Sequence, residues 1–319
     1  MPRPTIVCVS ANPAMDRRLF VESVTVGEIN RAKSAQGLAG GKAAHVAMAT
    51  RALEAQPVWV GFLGGAIGQE CARQMQLLGI RVVAIPTKSG TRVNLEIIDA
   101  SDRVTEILEP GMEPSAQERD EFLQTCARGV REDWQPAVMV ISGSLPAGVG
   151  PDFYVSLIEA ARAAGARVFV DSSGDALRAS ANARPDFVKV NRAEAETLAG
   201  RSLVTMQEVA RAAAQIVDRG VGSAAITLGR DGLIWLERKN GPAWKALPPR
   251  MNVISAIGSG DATLGGFAHA AIQGIAGEEA LRLAAACGAA NCVAPAPGRI
   301  ELATVRKLLP QIEIQQINF

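Results

Sequence analysis

Short apolar runs rich in β-branched residues alternate with helix-length segments along most of this 319-residue chain. The apolar runs predict buried strands at 5–10, 57–64, 137–144, 166–173, 186–191 and 223–229. The longer segments between them predict helices at 41–55, 66–78, 114–131, 151–164 and 205–219. Such alternation is typical of a mostly parallel sheet that is covered by helices on both faces. We therefore predict a doubly wound α/β fold.

The segments 19–38 and 91–108 break this alternation, and each has the pattern of antiparallel hairpin strands. Strands inserted between parallel units predict a small sheet beside the main one. We expect it to lie over the carboxyl edge of the main strands, where open α/β sheets bind their ligands, and to act there as a lid. The last third of the chain, 261–309, predicts helices, and its many small apolar residues indicate that they are buried.

Charge and composition argue against several classes of partner. The 33 basic and 32 acidic residues leave a net charge of +1, so no basic field points to nucleic acid or an anionic membrane surface. Five irregularly spaced cysteines and two histidines show no metal-ligand spacing, and reduced, buried thiols are expected. No apolar run predicts a signal peptide or a membrane span, so a cytoplasmic location is expected.

Polar residues cluster just after the predicted strands. Taken singly, each has a structural explanation: Asp16 can cap a turn, and Lys42 and Arg92 can be solvated surface charges. Asn191 can begin a helix, with Glu194 completing a capping box. The combination of all these residues after the strands is less easily explained in this way than any one of them. With so little net charge, a polyanionic ligand would have to be held by a local site.

The stretch "AIGSGDATLGGF" (256–267) places Asp261 among four glycines at the start of an apolar helix. Glycine allows a close backbone approach to a ligand, and free N–H groups at a helix N-terminus attract anions. Asp261 is either an ordinary acidic residue of a first helical turn or a base beside a bound phosphate. A dinucleotide-binding turn is disfavoured, because such a turn should follow the first strand of the fold.

Three motifs, one of them within the stretch just described, carry a resemblance to a known family. With "SGSLPAGV" (142–149), "VDSSGDAL" (170–177) and "GSGDATLGGF" (258–267), the chain resembles ribokinase-like carbohydrate kinases of the PfkB family. It is most similar to the phosphosugar branch, which contains the minor 6-phosphofructokinase, 1-phosphofructokinase and tagatose-6-phosphate kinase. The resemblance runs from 12–16 to 298–300. It implies one domain over 1–319, with a β lid from about 17–38 and 90–109 that often forms a dimer interface.

The resemblance also implies roles in phosphoryl transfer. The backbone N–H groups of Gly258, Ser259 and Gly260 would form an anion hole for the γ-phosphoryl group, and Asp261 would take the proton of the attacking hydroxyl. ATP and Mg²⁺ are the expected cofactors, and Mg²⁺ would be held largely through waters by Asn191 and Glu194. The expected nucleotide-binding residues are Lys189, Asn191, Thr227, Gly229 and Gly232.

The acceptor side is expected to comprise Asp16, Gly41, Lys42, His45, Arg92 and Ser144. In this prediction Lys42 and Arg92 hold a phosphate that the sugar already carries. The chain departs from the family pattern Gly-Gly-Lys-Gly-x-Asn. Ala43 stands where the pattern has the Gly after Lys, and His45 stands where it has Asn. We expect the Ala43 methyl to approach the sugar, and His45 to contact its hydroxyls and to titrate near neutrality.

These observations predict an ATP-dependent phosphosugar kinase that forms a homodimer through its lid. Fructose 6-phosphate is the first expected acceptor, with fructose 1,6-bisphosphate as the product. Fructose 1-phosphate and tagatose 6-phosphate are the alternative acceptors. A sugar-phosphate sensor that has the kinase fold but no activity is a further alternative.

Overall fold

The computed structural model of the protein describes residues 5–101 and 103–319. The strands, in chain order, are β1 (Thr5–Ser10), β2 (Ala14–Phe20), β3 (Ser34–Gly40), β4 (Gln56–Gly64), β5 (Arg81–Thr87), β6 (Arg92–Ile98), β7 (Val104–Leu108), β8 (Val138–Ser142), β9 (Arg167–Asp171), β10 (Phe187–Asn191), β11 (Ser223–Thr227), β12 (Leu233–Leu236), β13 (Ala243–Leu247) and β14 (Glu313–Ile317). The α-helices are α1 (Lys42–Ala52), α2 (Gly65–Leu77), α3 (Ala116–Arg128), α4 (Asp152–Ala163), α5 (Gly174–Asn182), α6 (Arg192–Ala199), α7 (Met206–Asp218), α8 (Ser259–Gln273), α9 (Gly277–Cys292) and α10 (Leu302–Leu308).

The main sheet contains ten strands within the described residues, in the order β14-β13-β12-β11-β10-β9-β8-β1-β4-β5. Seven neighbouring strands of this sheet, β11-β10-β9-β8-β1-β4-β5, are parallel to one another. Each of the six predicted apolar runs supplies one of them. Residues of β1, β4 and β8 are almost all buried, as expected for strands covered on both faces. The predicted doubly wound, mostly parallel sheet is confirmed.

Helices cover both faces of this sheet, and each face has its own apolar core. One core joins α1, α2, α8, α9 and α10, and the other joins α3, α4, α5, α6 and α7. Small residues bring α8 and α9 unusually close, since a Cβ atom at Gly266 would lie 2.6 Å from the Cα of Ala284. The small-residue composition of the last third therefore serves close packing between two buried helices.

Three strands at one edge of the main sheet have no counterpart in the predicted pattern. β12, β13 and β14 pair antiparallel with one another, and β12 joins the parallel part through β11. Each is only four or five residues long, and β14 is half polar. Polar residues interrupt β13 and β14, so they lack the continuous apolar run that identifies buried parallel strands. β12 is apolar and buried throughout, but it is only four residues long.

A separate sheet of four strands, in the order β3-β2-β6-β7, forms beside the main sheet, as predicted. β2 and β3 form the first hairpin, and their strands reach Ala14 and Gly40, beyond the expected segment 19–38. Residues 21–33 of that segment form the connecting loop, where exposed side chains have no core to pack on. β6 and β7 form the second hairpin, and β6 pairs in parallel with β2.

A buried arginine connects the small sheet with the rest of the chain. Nη1 of Arg18 on β2 donates to the carbonyl oxygen of Pro295 at 2.6 Å, in the segment that follows α9. Its Nε lies 3.3 Å from the Glu96 carboxylate on β6, and both side chains are buried. The ion pair joins two strands of the small sheet, and the bond to Pro295 attaches that sheet to the segment after α9. Among the described residues, no helix is long and apolar enough to cross a bilayer.

Candidate active site

A cavity of about 1420 Å³ lies between the carboxyl ends of the parallel strands and the small sheet. Every site residue predicted from the sequence contributes to its wall: Asp16, Gly41, Lys42, His45, Arg92, Ser144, Lys189, Asn191, Glu194, Thr227, Gly229, Gly232, Gly258, Ser259, Gly260 and Asp261. These residues come from both sheets and from three helices. The fold therefore brings one polar constellation together from positions that lie far apart in the chain.

Glycines allow Asp16 to lie against the beginning of α1. A Cβ atom at Gly40 would be only 1.9 Å from Oδ2 of Asp16, so this position requires glycine. Gly41 precedes the helix with φ at 87°, a conformation that disfavours other residues, and its N–H donates to the same Oδ2 at 3.4 Å. The carboxylate is thereby held at a helix N-terminus, which favours negative charge.

His45 on α1 lies between two carboxylates. Its Nε2 is 3.1 Å from Oδ2 of Asp16, and its Nδ1 is 2.9 Å from Oδ2 of Asp261. Burial disfavours the charged imidazole, but hydrogen bonds to the two carboxylates and their negative charge outweigh it and raise the pKa of His45 to about 10. The expectation that His45 titrates near neutrality is wrong, because the prediction did not include these two partners.

Asp16 is surrounded by donors. Nδ2 of Asn94 on β6 donates to Oδ1 at 2.9 Å, while His45 and the N–H of Gly41 contact Oδ2. Burial alone would raise the pKa of Asp16, but hydrogen bonds and charge from His45, Asn94 and Gly41 lower it below its usual value. Asp16 is therefore a carboxylate that can accept a further hydrogen bond from a ligand hydroxyl.

The glycine turn before α8 provides free backbone donors. Gly258 has φ at 78°, and within the described residues no acceptor pairs with the N–H groups of Gly258, Gly260 and Asp261. The N–H of Ser259 instead donates to the carbonyl of Ala256 at 3.1 Å, which differs from the expected anion hole. The buried amide of Asn291 supports the turn by donating to the carbonyl of Ile257 at 2.7 Å.

Lys42 is paired with two carboxylates, whereas the sequence predicted that it would bind the sugar phosphate together with Arg92. Its Nζ donates to Oδ1 of Asp171 at 2.9 Å and to Oε1 of Glu194 at 3.4 Å. Burial would lower the pKa of Lys42, but the carboxylates of Asp171 and Glu194 raise it above its usual value. The lysine is therefore held as a cation on the Glu194 side of the cavity.

Asp171 at the end of β9 is fully buried and also pairs with Lys189. Burial raises the pKa of this carboxyl, but the neighbouring ammonium groups of Lys189 and Lys42 outweigh burial and lower the pKa below its usual value. A Cβ atom at Gly260 would lie 2.9 Å from Nζ of Lys189, so this ammonium sits against the first turn of α8. Lys189 thus lies beside the free N–H groups, and Lys42 is connected to it through Asp171.

Arg92 is half-buried, and its guanidinium group is held by backbone carbonyls. Nη1 donates to Glu109 at 2.7 Å, and Nη2 donates to Asn12 at 3.1 Å. Its buried Nε has no partner within the described residues. Partial desolvation lowers the pKa of Arg92. Nδ2 of Asn12 also donates to Oγ of Ser144 at 3.2 Å, so these three residues form one connected wall.

A family comparison decides between the interpretations of this cavity. The model of the pfkB family carbohydrate kinases matches residues 4–300, which is nearly the whole chain. The chain belongs to the pfkB family of carbohydrate kinases. It is therefore a phosphotransferase with an alcohol group as the acceptor, and its class is that of the sugar-phosphate kinases.

Individual relatives of this pfkB-family kinase agree with that assignment. It is 34% identical over 284 residues to a 1-phosphofructokinase from Rhodobacter capsulatus, with 88% of each chain covered. It is 29% identical to a 1-phosphofructokinase from Vibrio cholerae, with 98% of this chain and 97% of the relative covered. Phosphofructokinase-2 from Escherichia coli, in complex with fructose-6-phosphate, shares 26% identity and a TM-score of 0.87, covering 98% of this chain and 99% of that one.

The residues expected to bind the nucleotide of this kinase also have structural tasks. Asn191 begins α6, and it forms with Glu194 the capping box that the sequence allowed as the alternative explanation. Oγ1 of Thr227 donates to the carbonyl of Val190 at 3.4 Å. Gly229 has φ at 60°, and a Cβ atom at Gly232 would lie 1.9 Å from the carbonyl oxygen of Ala246. All of them also line the cavity, and their role in nucleotide binding stays a prediction.

The oxygen donors on this side suit a hard cation. Asn191 and Glu194 offer amide and carboxylate oxygens, which are ligands of the type that Mg²⁺ prefers. Among residues 5–101 and 103–319, no group of three or more acidic, histidine or cysteine side chains is arranged to hold a metal ion. The type of these oxygen donors is compatible with a Mg²⁺ ion bound largely through waters and nucleotide phosphates, and the ion's place here stays a prediction.

Several wall residues of this kinase were not predicted. Asn94 lies on the wall two residues after the predicted Arg92, so that neighbour was an available signal. Asp171 is buried and does not line the cavity, although it belongs to the quoted motif "VDSSGDAL". Glu96 gave no signal, because its position is set by pairing with Arg18. An apolar wall also gave none, because it combines a loop with one face of α9: Leu247, Pro248, Met251, Val253, Ala285, Ala289 and Cys292.

Ala43 differs from its expected place. Its side chain is fully buried in the core of α1, it does not line the cavity, and its φ is not positive. The expectation that its methyl approaches the sugar is wrong, because helix α1 already begins at Lys42 and turns position 43 into the protein interior.

Proposed function

We propose that this kinase transfers the γ-phosphoryl group of ATP to a hydroxyl group of a ketohexose phosphate, with fructose 1-phosphate as its first acceptor. The product would be fructose 1,6-bisphosphate. Both curated relatives described above are 1-phosphofructokinases, and one of them is 34% identical to the chain. They support this acceptor better than fructose 6-phosphate, which the sequence motifs placed first. Fructose 6-phosphate and tagatose 6-phosphate are kept as competing acceptors.

The observation that carries the proposal is the position of Asp261. Its carboxylate lies in the first turn of α8, beside the unpaired N–H groups of Gly258 and Gly260. The free donors would hold the transferred phosphoryl group without reorganisation, and Asp261 would accept the proton of the attacking hydroxyl. His45 contacts Oδ2 of Asp261, so Oδ1 is the oxygen left for that proton.

Lys42 and Lys189 would neutralise charge that develops on the phosphoryl oxygens. Both are anchored by Asp171, and Lys189 lies against Gly260. A preorganised cation next to the reacting phosphate stabilises the transition state more than it would in water. Asn191 and Glu194 would hold a Mg²⁺ ion largely through waters, and the ion would supply further neutralisation of phosphate charge.

The acceptor phosphate would bind at Arg92. Its guanidinium group is fixed by two carbonyls, and it pairs with no carboxylate among the described residues. A guanidinium group that is positioned but not neutralised is suited to bind a phosphate. Since Lys42 is paired elsewhere, Arg92 would be the principal cation for this phosphate.

The small sheet would act as a lid subdomain, built from about 17–38 and 90–109, on an otherwise single domain. It contributes Asp16, Asn94 and Glu96 to the cavity, so it could exclude water from the reacting phosphoryl group. Its outer strand and loop expose apolar residues, with Val26 at 95% and Ile29 at 81% exposure. We propose that two copies of the chain cover these surfaces by pairing their lids.

We propose the cytoplasm as the place of action. All five cysteines are unpaired, and four of them are buried. Burial raises the pKa of the Cys71 thiol to about 12 and that of the Cys287 thiol likewise to about 12, which keeps them protonated. Such thiols suit a reducing compartment, in which ATP is also available.

A coupled assay of ADP release tests the function. The purified protein is given ATP, Mg²⁺ and one of four acceptors: fructose 1-phosphate, fructose 6-phosphate, tagatose 6-phosphate or unphosphorylated fructose. We expect the highest kcat/KM with fructose 1-phosphate and the lowest with fructose. Binding of a phosphosugar without turnover would instead identify a sensor, and a preference for fructose 6-phosphate would reverse the choice of acceptor.

A further inference from the structure

His45 is placed where a ligand-binding side chain was expected, yet both of its ring nitrogens are already occupied. The side chain is 5% exposed, and it lies between Asp16 on β2 and Asp261 on α8. Neither nitrogen is left to donate to a sugar hydroxyl. The imidazole therefore connects two protein carboxylates.

The geometry defines the charge of this ring. A neutral imidazole has one N–H donor and one lone pair, so it would direct that lone pair at a carboxylate. An imidazolium has two N–H donors and suits both contacts, at 3.1 and 2.9 Å. The other charged groups nearby are Glu96 and Arg92 on β6, Glu106 on β7, Arg18 on β2 and Lys42 on α1. The guanidinium group of Arg92 is held by backbone carbonyls. Arg18 is paired with Glu96 and Lys42 with Asp171, so His45 supplies the cation between Asp16 and Asp261.

We infer that His45 is a positioning residue: as an imidazolium it ties the acceptor-binding carboxylate Asp16 to the base Asp261, and it does not itself bind the acceptor. The inference rests on the proposed function for the roles of the two carboxylates. It assigns to this side chain a coupling between acceptor binding and proton removal.

The arrangement has a consequence for the acceptor hydroxyls. Asp16 has Asn94 on Oδ1 and both His45 and Gly41 on Oδ2, which leaves about one of four lone-pair positions for the sugar. Asp261 has its Oδ1 for the attacking hydroxyl. The bridge would hold these two acceptor positions at a constant separation, so that a hydroxyl bound at Asp16 sets the place of the hydroxyl at Asp261.

The charge of the ring can be measured without any substrate. The chain has only two histidines, so protein labelled with ¹⁵N-histidine gives two sets of ring signals, and His269→Asn assigns them. We expect His45 to keep the imidazolium signature from pH 6 to pH 8.5. Asp16→Asn or Asp261→Asn should lower the pKa of His45 by about one unit or more. A neutral ring at pH 7.5 in the unmodified protein would overturn the inference, whatever the enzyme phosphorylates.

Kinetics test the positioning role. His45→Asn removes the cation between two carboxylates, so one of them should bind a proton more readily. We expect kcat to fall roughly 10- to 100-fold, and the acidic limb of its pH profile to move up by about one pH unit. His269→Asn, on the same helix as Asp261 but outside the cavity wall, is the matched control and should change neither quantity.

A second substitution separates positioning from a general structural defect. In His45→Asn with Asp16→Asn, the second carboxylate is gone, so the acidic limb should return towards that of the unmodified enzyme, although acceptor KM stays high. If His45→Asn leaves the acidic limb in place, or if the double variant fails to restore it, the positioning role is refuted. Should the variants not fold, the charge of the His45 ring in the unmodified protein still tests whether His45 joins the two carboxylates as an imidazolium.

Discussion

Nζ of Lys42 lies 2.9 Å from Oδ1 of Asp171, whereas the guanidinium group of Arg92 is held by the carbonyls of Glu109 and Asn12. The two cations that the sequence assigned to one phosphate therefore have separate partners. Lys42 shares Asp171 with Lys189, and Lys189 lies against the first turn of α8. This places Lys42 with the groups that would surround the transferred phosphoryl group.

Lys42→Met should consequently impair phosphoryl transfer more than acceptor binding. We expect kcat to fall roughly 10²–10³-fold, the range for loss of one preorganised group that stabilises transition-state charge. Steady-state kinetics with both substrates varied measures this, and Lys239→Met, at an exposed surface ion pair, serves as the control. A large rise in acceptor KM at unchanged kcat would show instead that Lys42 binds the acceptor phosphate.

Asp261→Asn should lower kcat by roughly 10²–10⁴, because the amide cannot accept the proton of the attacking hydroxyl. The side chain keeps its shape, and its amide oxygen can still accept from His45, so nucleotide affinity should change little. Calorimetric titration with ATP and the coupled assay measure the two effects. Asp218→Asn, at an exposed position, is the control. Retention of more than about a tenth of kcat would exclude Asp261 as the base.

Arg92→Ala should weaken acceptor binding while KM for ATP stays nearly constant. The guanidinium group is half-buried, so the lost charged hydrogen bonds should cost about 1.5–3 kcal/mol, or roughly 10- to 150-fold in acceptor affinity. Arg17→Ala, on the exposed side of β2, removes the same charge outside the cavity. If Arg92→Ala changed KM for ATP as much as KM for the acceptor, Arg92 would not be the residue that holds the acceptor phosphate.

Ala43→Gly should destabilise the protein without changing its choice of acceptor. The side chain is fully buried in α1, and glycine in a helix costs about 0.5–1 kcal/mol relative to alanine, in addition to the lost packing. Urea unfolding gives the stability change, and the four-acceptor assay gives the specificity. Ala52→Gly, at the end of the same helix, controls for helix propensity alone. A reordered acceptor preference in Ala43→Gly would contradict the core position of Ala43.

The proposed lid dimer predicts a two-chain species in sedimentation at micromolar concentration. Val26 and Ile29 are exposed on the loop between β2 and β3, and a lysine at either position should shift the population towards the monomer. Leu77→Lys changes an apolar residue of α2 that is 72% exposed and should leave the dimer intact. A monomer in the unmodified protein would contradict this proposal.

Local sequence was sufficient for much of the fold. The parallel strands β1, β4, β8 and β10 could be predicted, because a strand buried on both faces must be a continuous apolar run. The strands β12 to β14 could not, since antiparallel strands at a sheet edge depend on partners that no local pattern identifies. The loop at 21–33 was expected to be strand because its apolar residues match strand composition, although Val24, Val26 and Ile29 are exposed.

The candidate site divides in the same way. The turn at Gly258, the acid at Asp261 and the capping box of Asn191 and Glu194 depend on spacings of a few residues, so the sequence alone identified them. The partners of Lys42 and His45 lie 129 and 216 residues away along the chain, at Asp171 and Asp261. Only the tertiary structure decides such contacts, because the electrostatic attraction that orients a buried cation depends on distance in space and not on separation in sequence.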